Sequence, residues 1–417
     1  MRLNRLVETA AVPDLALWGK RAGLSEPYPL LCHLLDTAAS AGVLWDRWLR
    51  RGLRDLLTSA LAPGDPDLAR RRMQAVAGLH DLGKASPWQG QVGAQRQPQW
   101  ARAFRSQLEG VGYDFPVPHY WQVSRHEAVG LTSLHGAPIP GHLDPTCAYA
   151  AVVAGGHHGT FHDLMAVNRF LPKELMTSCS GRWGEQQQAH KDAVFDALGL
   201  DARGDEGRLT GPRAAAALVC MAGLVVLADW LASEDACVGA GVDRLAATGG
   251  TVGLAAAPAG WVQARASWLA QRLPQTLGVY TDMADPLTAI LAEHAGTPSA
   301  LQRAAQHTVG GLLLATYPTG DGKTEAALLR HAAEKGEGLL FALPTRSTAS
   351  AMMGRVRAAY AATPNAARLA HGFAALDPFY AAPPTTIDSD GCSAHTDDLH
   401  GDDRARGLHP QAWLNGA

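Results

Sequence analysis

Apolar and polar positions divide the chain into two unlike parts. Up to about residue 240 the apolar residues come in long, Ala-rich, Pro-free runs: Leu30–Leu49, Ala69–Leu79, Ala148–Val153 and Ala214–Ala232. Runs of that length predict helices. Stretches rich in Gly, Pro and Gln, notably Ser86–Gln99 and Gly136–Pro145, read as the loops between them. Ala214–Ala228 is uninterruptedly apolar or Gly, but its 15 residues fall short of the roughly 20 that a bilayer span needs. Asp229 follows at once, so a buried core helix is the better reading.

Beyond residue 239 the pattern changes. Gly239–Gly260 reads as a connector, Trp261–Leu273 as an amphipathic helix leading to a Pro-bearing loop. Val309–Thr316 and Gly338–Leu343 are short apolar runs that predict buried strands, each followed by a helical run, Thr324–Lys335 and Ser347–Ala362. Alternating strand and helix is the opening of a parallel α/β domain. Ala381–Ala417 loses periodicity and reads as a mobile tail. The expected organisation is a helical domain over 1–240, linker and connecting helices over 241–297, a partial α/β domain over 298–380 and a disordered tail over 381–417.

Composition narrows the class. Of 417 residues, 47% are hydrophobic and 18% charged, and the net charge is -3, which is globular and without overall basic character. Nucleic-acid contact would have to come from local patches such as Arg47, Arg50, Arg51 and Arg54, or Arg70, Arg71 and Arg72. Solvated helix faces explain such runs equally well. Trp88, Trp100, Phe104 and Trp121 suit packing better than base stacking. The six cysteines form no Cys-x-x-Cys pair, so neither a disulfide framework nor a thiolate zinc site is expected. Met1–Ala11 has no signal-peptide core. These features predict a soluble, cytoplasmic protein with no membrane partner.

The candidate chemistry centres on His80-Asp81 within Gly78-Leu79-His80-Asp81-Leu82-Gly83-Lys84. On a helix the two side chains point about 100° apart, yet a carboxylate has two oxygens and can bridge two ions. Taken singly, His33 reads as a core histidine and His126 as an exposed loop or helix-start residue. His157-His158 sits between glycines that let the backbone turn tightly, so both rings can reach one cavity. Asp229 beside fifteen apolar residues needs a compensating cation. Imidazole and carboxylate ligands without thiolates fit Fe, Mn, Co, Ni or Mg, and paired ions suit phosphate-ester hydrolysis. Lys84 follows His80 by one turn and can hold a phosphate oxygen or an Asp oxygen. Ser233 shares a helix face with Asp229.

Taken in order, His33 in Leu-Leu-Cys-His-Leu-Leu-Asp, His80-Asp81-x-Gly-Lys, Arg-His-Glu, Gly-His-His-Gly and Ala-Asp-Trp-Leu-Ala-Ser resemble a known series. They are similar to the HD nuclease domain of the CRISPR-associated nuclease–helicase of type I systems, most of all its type I-E branch, over roughly residues 15–235. The resemblance implies a mainly α, helical HD fold in which two transition-metal ions (Fe, Mn, Co or Ni) cut single-stranded DNA. It implies that His33, His80, Asp81 and Asp229 hold one ion and that Asp81, His126, His157 and His158 hold the other. Lys84 and Ser233 would assist at the phosphate, with Asp81 as the bridge.

Tyr317–Thr324 follows a predicted strand and opens a helix, the context of a phosphate-binding loop. Gly320 and Gly322 would lend backbone N–H groups, Lys323 would reach the β/γ oxygens and Thr324 would contact Mg²⁺ of ATP. Pro298–Gln302 resembles the adenine-reading segment of RecA-like helicases, with Gln302 as the reader, and Leu343-Pro344-Thr345-Arg346 resembles their next motif. The apolar strand ending in Asp-Glu that an ATP-driven helicase needs is missing: Asp397-Asp398 and Asp402-Asp403 follow no strand. Autonomous unwinding is therefore not expected; either a separate helicase polypeptide supplies the rest or the gene product is truncated.

The leading expectation is a metal-dependent DNA endonuclease acting with an RNA-guided CRISPR surveillance complex. An HD phosphohydrolase acting on nucleotides and a non-catalytic protein that only binds DNA or that complex are the alternatives.

Overall fold

Leu30 opens the helix around which the first part of the molecule is built. The computed structural model describes residues 12–21, 24, 26–91, 98–115, 125–135, 149–158, 177–201, 213–250, 254, 257–277, 280–308, 310–334, 338–365, 367 and 369. They belong to two compact units, Met1–Gln271 and Arg272–Ala417. The expected loop over Gly136–Pro145, Trp121 and the 381–417 tail lie outside the described residues.

In the first unit a two-stranded antiparallel ladder, β1 (Trp18–Lys20) and β2 (Tyr28–Pro29), leads into α1 (Leu30–Arg47). Every residue of α1 from Leu30 through Trp45 is buried, the mark of a core helix rather than a surface one. Its hydroxyls turn back on the helix itself: Thr37 donates to the His33 carbonyl and Ser40 to that of Asp36, each at 2.9 Å. After α2 (Arg51–Leu61), α3 (Pro66–Gly78) packs along α1. Asp65 caps α3 by accepting the Leu68 N–H at 2.9 Å, and Pro66 fills the first position, where no N–H is needed.

The short α4 (Trp88–Gln91) and α5 (Pro98–Gly110) precede α6 (His126–His135) and α7 (Tyr149–Gly156), which pack on each other. Next come α8 (Gly181–Leu198), α9 (Ala214–Ser233), α10 (Asp235–Ala247) and α11 (Pro258–Thr276). Helix α9 is long and apolar enough to cross a membrane, with a mean hydropathy of 2.1. It packs on α1 and buries Met221, Leu224, Val225, Ala228 and Asp229. Part of the expected connector is helix instead. Gly241 of α10 fits against Tyr28, where any Cβ would lie 2.0 Å from the phenolic oxygen, so tertiary packing outweighs the low helix propensity of glycine.

The arginine runs serve partly as fasteners. Arg70 binds Asp46 through Nε at 2.7 Å and Nη2 at 2.6 Å, and Arg72 donates to the Leu61 carbonyl. A deeper fastener ties α11 to α1. Asp36 accepts from Arg265 Nε, Trp261 Nε1 and the Tyr28 hydroxyl at 2.8, 2.8 and 2.7 Å, while Arg265 Nη2 donates to the Cys237 carbonyl at 2.6 Å. The carboxylate and guanidinium are fully buried and mutually satisfied, as burial of charge demands.

The second unit contains α12 (Pro286–Leu291), α13 (Ala300–His307), α14 (Lys323–Ala333) and α15 (Arg346–Ala359). The two expected strands do not form here: β1 and β2 are the only strands among the described residues. Nor are the runs buried throughout as expected; they alternate between packed and exposed positions. Leu313 packs on Leu301, Ala305 and Ala326, and Leu339 and Phe341 pack on the Leu328–Ala359 cluster. Leu312, Leu314 and Leu340 point outward, 97%, 81% and 91% exposed. Parallel strands are stable when helices cover both faces; these runs are covered on one.

Candidate metal centre

Helix α3 ends at Gly78, so His80 and Asp81 stand in the turn that follows, and Leu82–Lys84 form a single 3₁₀ turn. This corrects the helical phase expected for the pair. The turn presses against the start of α6: a Cβ on Gly83 would fall 1.9 Å from the His126 carbonyl oxygen. Only glycine permits that approach. It brings His126, the first residue of α6, beside Asp81. His126 is buried at a helix start. His157 and His158 follow the last turn of α7, and Asp229 and Ser233 project from the final turns of α9.

All seven expected ligands meet at one place. Asp81 divides them. Its Oδ2 lies 3.0 Å from His33 Nε2 and 3.2 Å from His80 Nε2, and Asp229 Oδ1 lies 3.3 and 3.4 Å from the same two nitrogens. Its Oδ1 faces the opposite way, 3.2 Å from His126 Nε2 and 3.5 Å from His157 Nε2. His158 Nε2 completes the second set, 3.1 Å from His126 Nε2. Ligand atoms within His33, His80, Asp81 and Asp229, and within His126, His157 and His158, lie inside 4.8 Å of one another.

Backbone carbonyls orient the rings. His80 Nδ1 lies 2.8 Å from the Ala77 oxygen and His157 Nδ1 2.6 Å from the Ala154 oxygen. A carbonyl can only accept, so each Nδ1 carries a proton and each Nε2 is turned toward the cluster. His80 Nε2, His157 Nε2 and Asp81 Oδ1 are buried without a well-aligned hydrogen bond. Buried polar atoms are rarely left so. Their convergence fits a pair of divalent ions. Cys32 is not a competing ligand, because burial holds its thiol protonated, well above the usual range.

Electrostatics agree with this fit. Burial works against charge on Asp81, but Lys84 and His80 hold its carboxyl well below the ordinary range. Asp229 is held down likewise, by Lys20 and His80. Burial alone would lower His80, yet the carboxylates of Asp81 and Asp229 raise it to about 9; burial takes His126 down to about 4. A metal-free cluster thus keeps a proton on His80 that cation binding would expel. Lys84 pairs with Asp81 Oδ2 at 2.6 Å and donates to the Gly19 carbonyl at 3.2 Å, while the Ser233 hydroxyl donates to Asp229 Oδ1 at 2.8 Å.

The structure adds neighbours that were not among the expected site residues. Lys20 of β1 stands 3.6 Å from Asp229 Oδ1, Glu127 lies 3.4 Å from His126 Nδ1, and the Trp88 ring packs edge-on against His126 at 5.3 Å. Glu127 follows His126 directly, which was the only available hint. Lys20 carried none, since its place comes from strand pairing.

In the second unit the expected nucleotide-binding residues also gather. Gly320 and Gly322 adopt positive φ, 95° and 78°, and α14 opens at Lys323. Lys323 Nζ donates to the Tyr317 and Pro318 carbonyls at 2.7 and 2.6 Å, folding over its own loop. Thr324 Oγ1 accepts from Arg355 at 3.2 Å. Gln302 forms the capping box of α13 with Ser299, and its Nε2 abuts Gly322.

A helical unit that gathers six imidazole and carboxylate groups around one aspartate has the architecture of an HD domain. The model of the Cas3 HD domain matches residues 18–238, and the chain belongs to that type I CRISPR family. It is 30% identical over 399 residues to the CRISPR-associated endonuclease/helicase Cas3 of Thermus thermophilus, covering 90% of this chain and 39% of that protein. Identity to the CRISPR-associated nuclease/helicase Cas3 of Streptococcus thermophilus is 24% over 361 residues, 79% of this chain and 36% of that one. Among solved structures, T. fusca Cas3 with ADP matches with a TM-score of 0.65 at 29% identity, over 88% of this chain and 40% of that one. A chain of a CRISPR RNA-guided surveillance complex, pre-nicking, matches with a TM-score of 0.53 at 31% identity, over 83% and 38%. The chain spans about two fifths of the length of the curated relatives it matches.

Proposed function

We propose that this chain is a metal-dependent nuclease that cuts single-stranded DNA in type I CRISPR defence. The observation that carries the reading is Asp81, whose two oxygens face two separate imidazole sets in a buried pocket. His33, His80, Asp81 and Asp229 would hold one ion; Asp81, His126, His157 and His158 the other. Divalent ions bound there supply activation of water and charge stabilisation at the phosphodiester, and imidazole–carboxylate sets favour Fe, Mn, Co or Ni.

The chain's own groups prepare the site. The Ala77 and Ala154 carbonyls fix the tautomers of His80 and His157, so the ligand nitrogens need no reorganisation. Lys84 fixes the bridging carboxylate and offers its ammonium to a phosphate oxygen. Ser233 orients Asp229 through its hydroxyl. The second unit would bind the phosphates of ATP with Mg²⁺ through Gly320, Gly322, Lys323 and Thr324, with Gln302 beside the loop. The positive φ of both glycines supports that reading. An RNA-guided surveillance complex in the cytoplasm would deliver the DNA. The likeness to a chain of such a complex supports that partner.

Incubation of the purified chain with circular single-stranded DNA and Fe²⁺, Mn²⁺, Co²⁺ or Ni²⁺ tests the proposal. Cleavage that disappears in Asp81→Ala supports it. A protein inert with every ion, whose bound metal is the same in Asp81→Ala, rules it out.

A further inference from the structure

Lys20 stands against the metal centre with no part in either ligand set. Its ammonium is 3.6 Å from Asp229 Oδ1, the oxygen that accepts the Ser233 hydroxyl and faces His33 and His80. Its side chain keeps 16% of its surface exposed, against 9% for Asp229 and none for His33. It therefore borders the His33–Asp229 side of the cluster toward solvent. Pairing of β1 with β2 at Lys20–Tyr28 holds it in place, and the preceding Gly19 carbonyl holds Lys84. A single short strand thus positions two ammonium groups.

Charge says what they are for. Three carboxylates, Asp81, Asp229 and the Glu127 that faces His126, offset three of the four positive charges of two divalent ions, and Lys20 and Lys84 then add two more cations to a buried pocket. Like charges so close are costly unless an anion joins them. The next residue, Arg21, lays its guanidinium 3.4 Å from the centre of the Trp100 ring, a further basic group beside Lys20. Neighbouring basic groups are what track a single-stranded phosphate backbone.

We propose that Lys20 is a second phosphate-contacting residue of the nuclease centre beside Lys84, gripping the DNA backbone on the His33–Asp229 side. The proposal rests on the nuclease reading above.

The test compares Lys20→Met and Lys20→Arg with the unaltered full chain, each loaded with Mn²⁺. Thymidine 5′-monophosphate, which carries a phosphate but no diester to cut, is titrated calorimetrically into each. Lys20→Met should bind it on the order of tenfold more weakly, the loss of one charge-assisted hydrogen bond. Lys20→Arg should recover most of the affinity. The salt dependence of kcat/KM on an oligothymidylate should flatten by about 0.7 in the log–log slope. Metal content, by elemental analysis, and melting temperature should stay near those of the unaltered chain. Unchanged affinity and slope in Lys20→Met overturns the proposal. So does loss of metal in both variants, which would make Lys20 a support for Asp229. An unaltered chain that binds Mn²⁺ and the mononucleotide but cuts no DNA removes the nuclease reading and leaves the phosphate contact standing.

Discussion

The candidate metal centre and the candidate phosphate loop both gather charged groups around a turn that needs glycine, yet they are built in opposite ways. At the metal centre the ligands come from five separate segments, α1, the turn after α3, α6, the end of α7 and α9, and nearly all are buried. Carbonyls set the ring tautomers before any ion arrives. Around the phosphate loop Gly320, Gly322, Lys323 and Thr324 lie within one short stretch and are exposed or half-buried, with Lys323 bound to its own loop. Enclosure by helices completes the first site. The second is a local backbone shape beside apolar runs covered on one face. Preorganisation here follows from how many elements converge, not from how well a motif reads.

The largest expected effect is at the bridge. Asp81→Ala removes a ligand from both sets, and single-strand cleavage should fall on the order of a thousandfold or more, with bound metal lost by elemental analysis. Lys323→Ala should leave that cleavage unchanged and abolish ATP binding. Equal loss of cleavage in both variants would break the contrast drawn between the two regions.

Next is the buried ion pair. Arg265→Ala leaves Asp36 charged and buried without its guanidinium, and stability should drop by about 3–5 kcal/mol in urea unfolding. A smaller effect is acid sensitivity at His190 in α8. Burial pulls this imidazole down to about 4. Its folded pKa is below its unfolded value, so the neutral ring contributes fully above about pH 6.5. That contribution is lost as pH falls toward 4. The loss amounts to about 3 kcal/mol, and urea midpoints of His190→Gln should change less across that range. The smallest effects belong to the bare leucines. Leu312→Ser and Leu340→Ser should move stability by no more than about 0.5 kcal/mol, whereas Leu328→Ala, inside the cluster, should cost about 2–5 kcal/mol. Large losses at Leu312 or Leu340 would mean that those faces are covered in solution.

The main helices were legible because α1, α3 and α9 are dominated by burial, and burial leaves long apolar runs. The ligands were legible as residue types in order. Their grouping came from the resemblance, since no periodicity links α1 to α9. His126 looked exposed because its neighbours in sequence are polar; the Gly83 turn, far away in sequence, buries it. The phase of His80-Asp81 was misread because the helix stops two residues earlier, at a carbonyl-rich turn that composition does not mark. The runs at 310–316 and 338–343, expected as buried strands, instead alternate between packed and exposed positions without forming a ladder, since full burial needs cover on both faces and a ladder needs pairing partners. Lys20 and Arg265 were invisible because their roles are set by pairing and packing with residues far along the chain.

The Asp36–Arg265 contact has a practical consequence for anyone dividing the chain. The family match ends at residue 238, but the first unit extends to Gln271. A fragment cut at the family boundary would strand the Asp36 carboxylate one helical turn from His33. A fragment that runs through Gln271 keeps its guanidinium and indole partners, so the helix carrying His33 stays anchored.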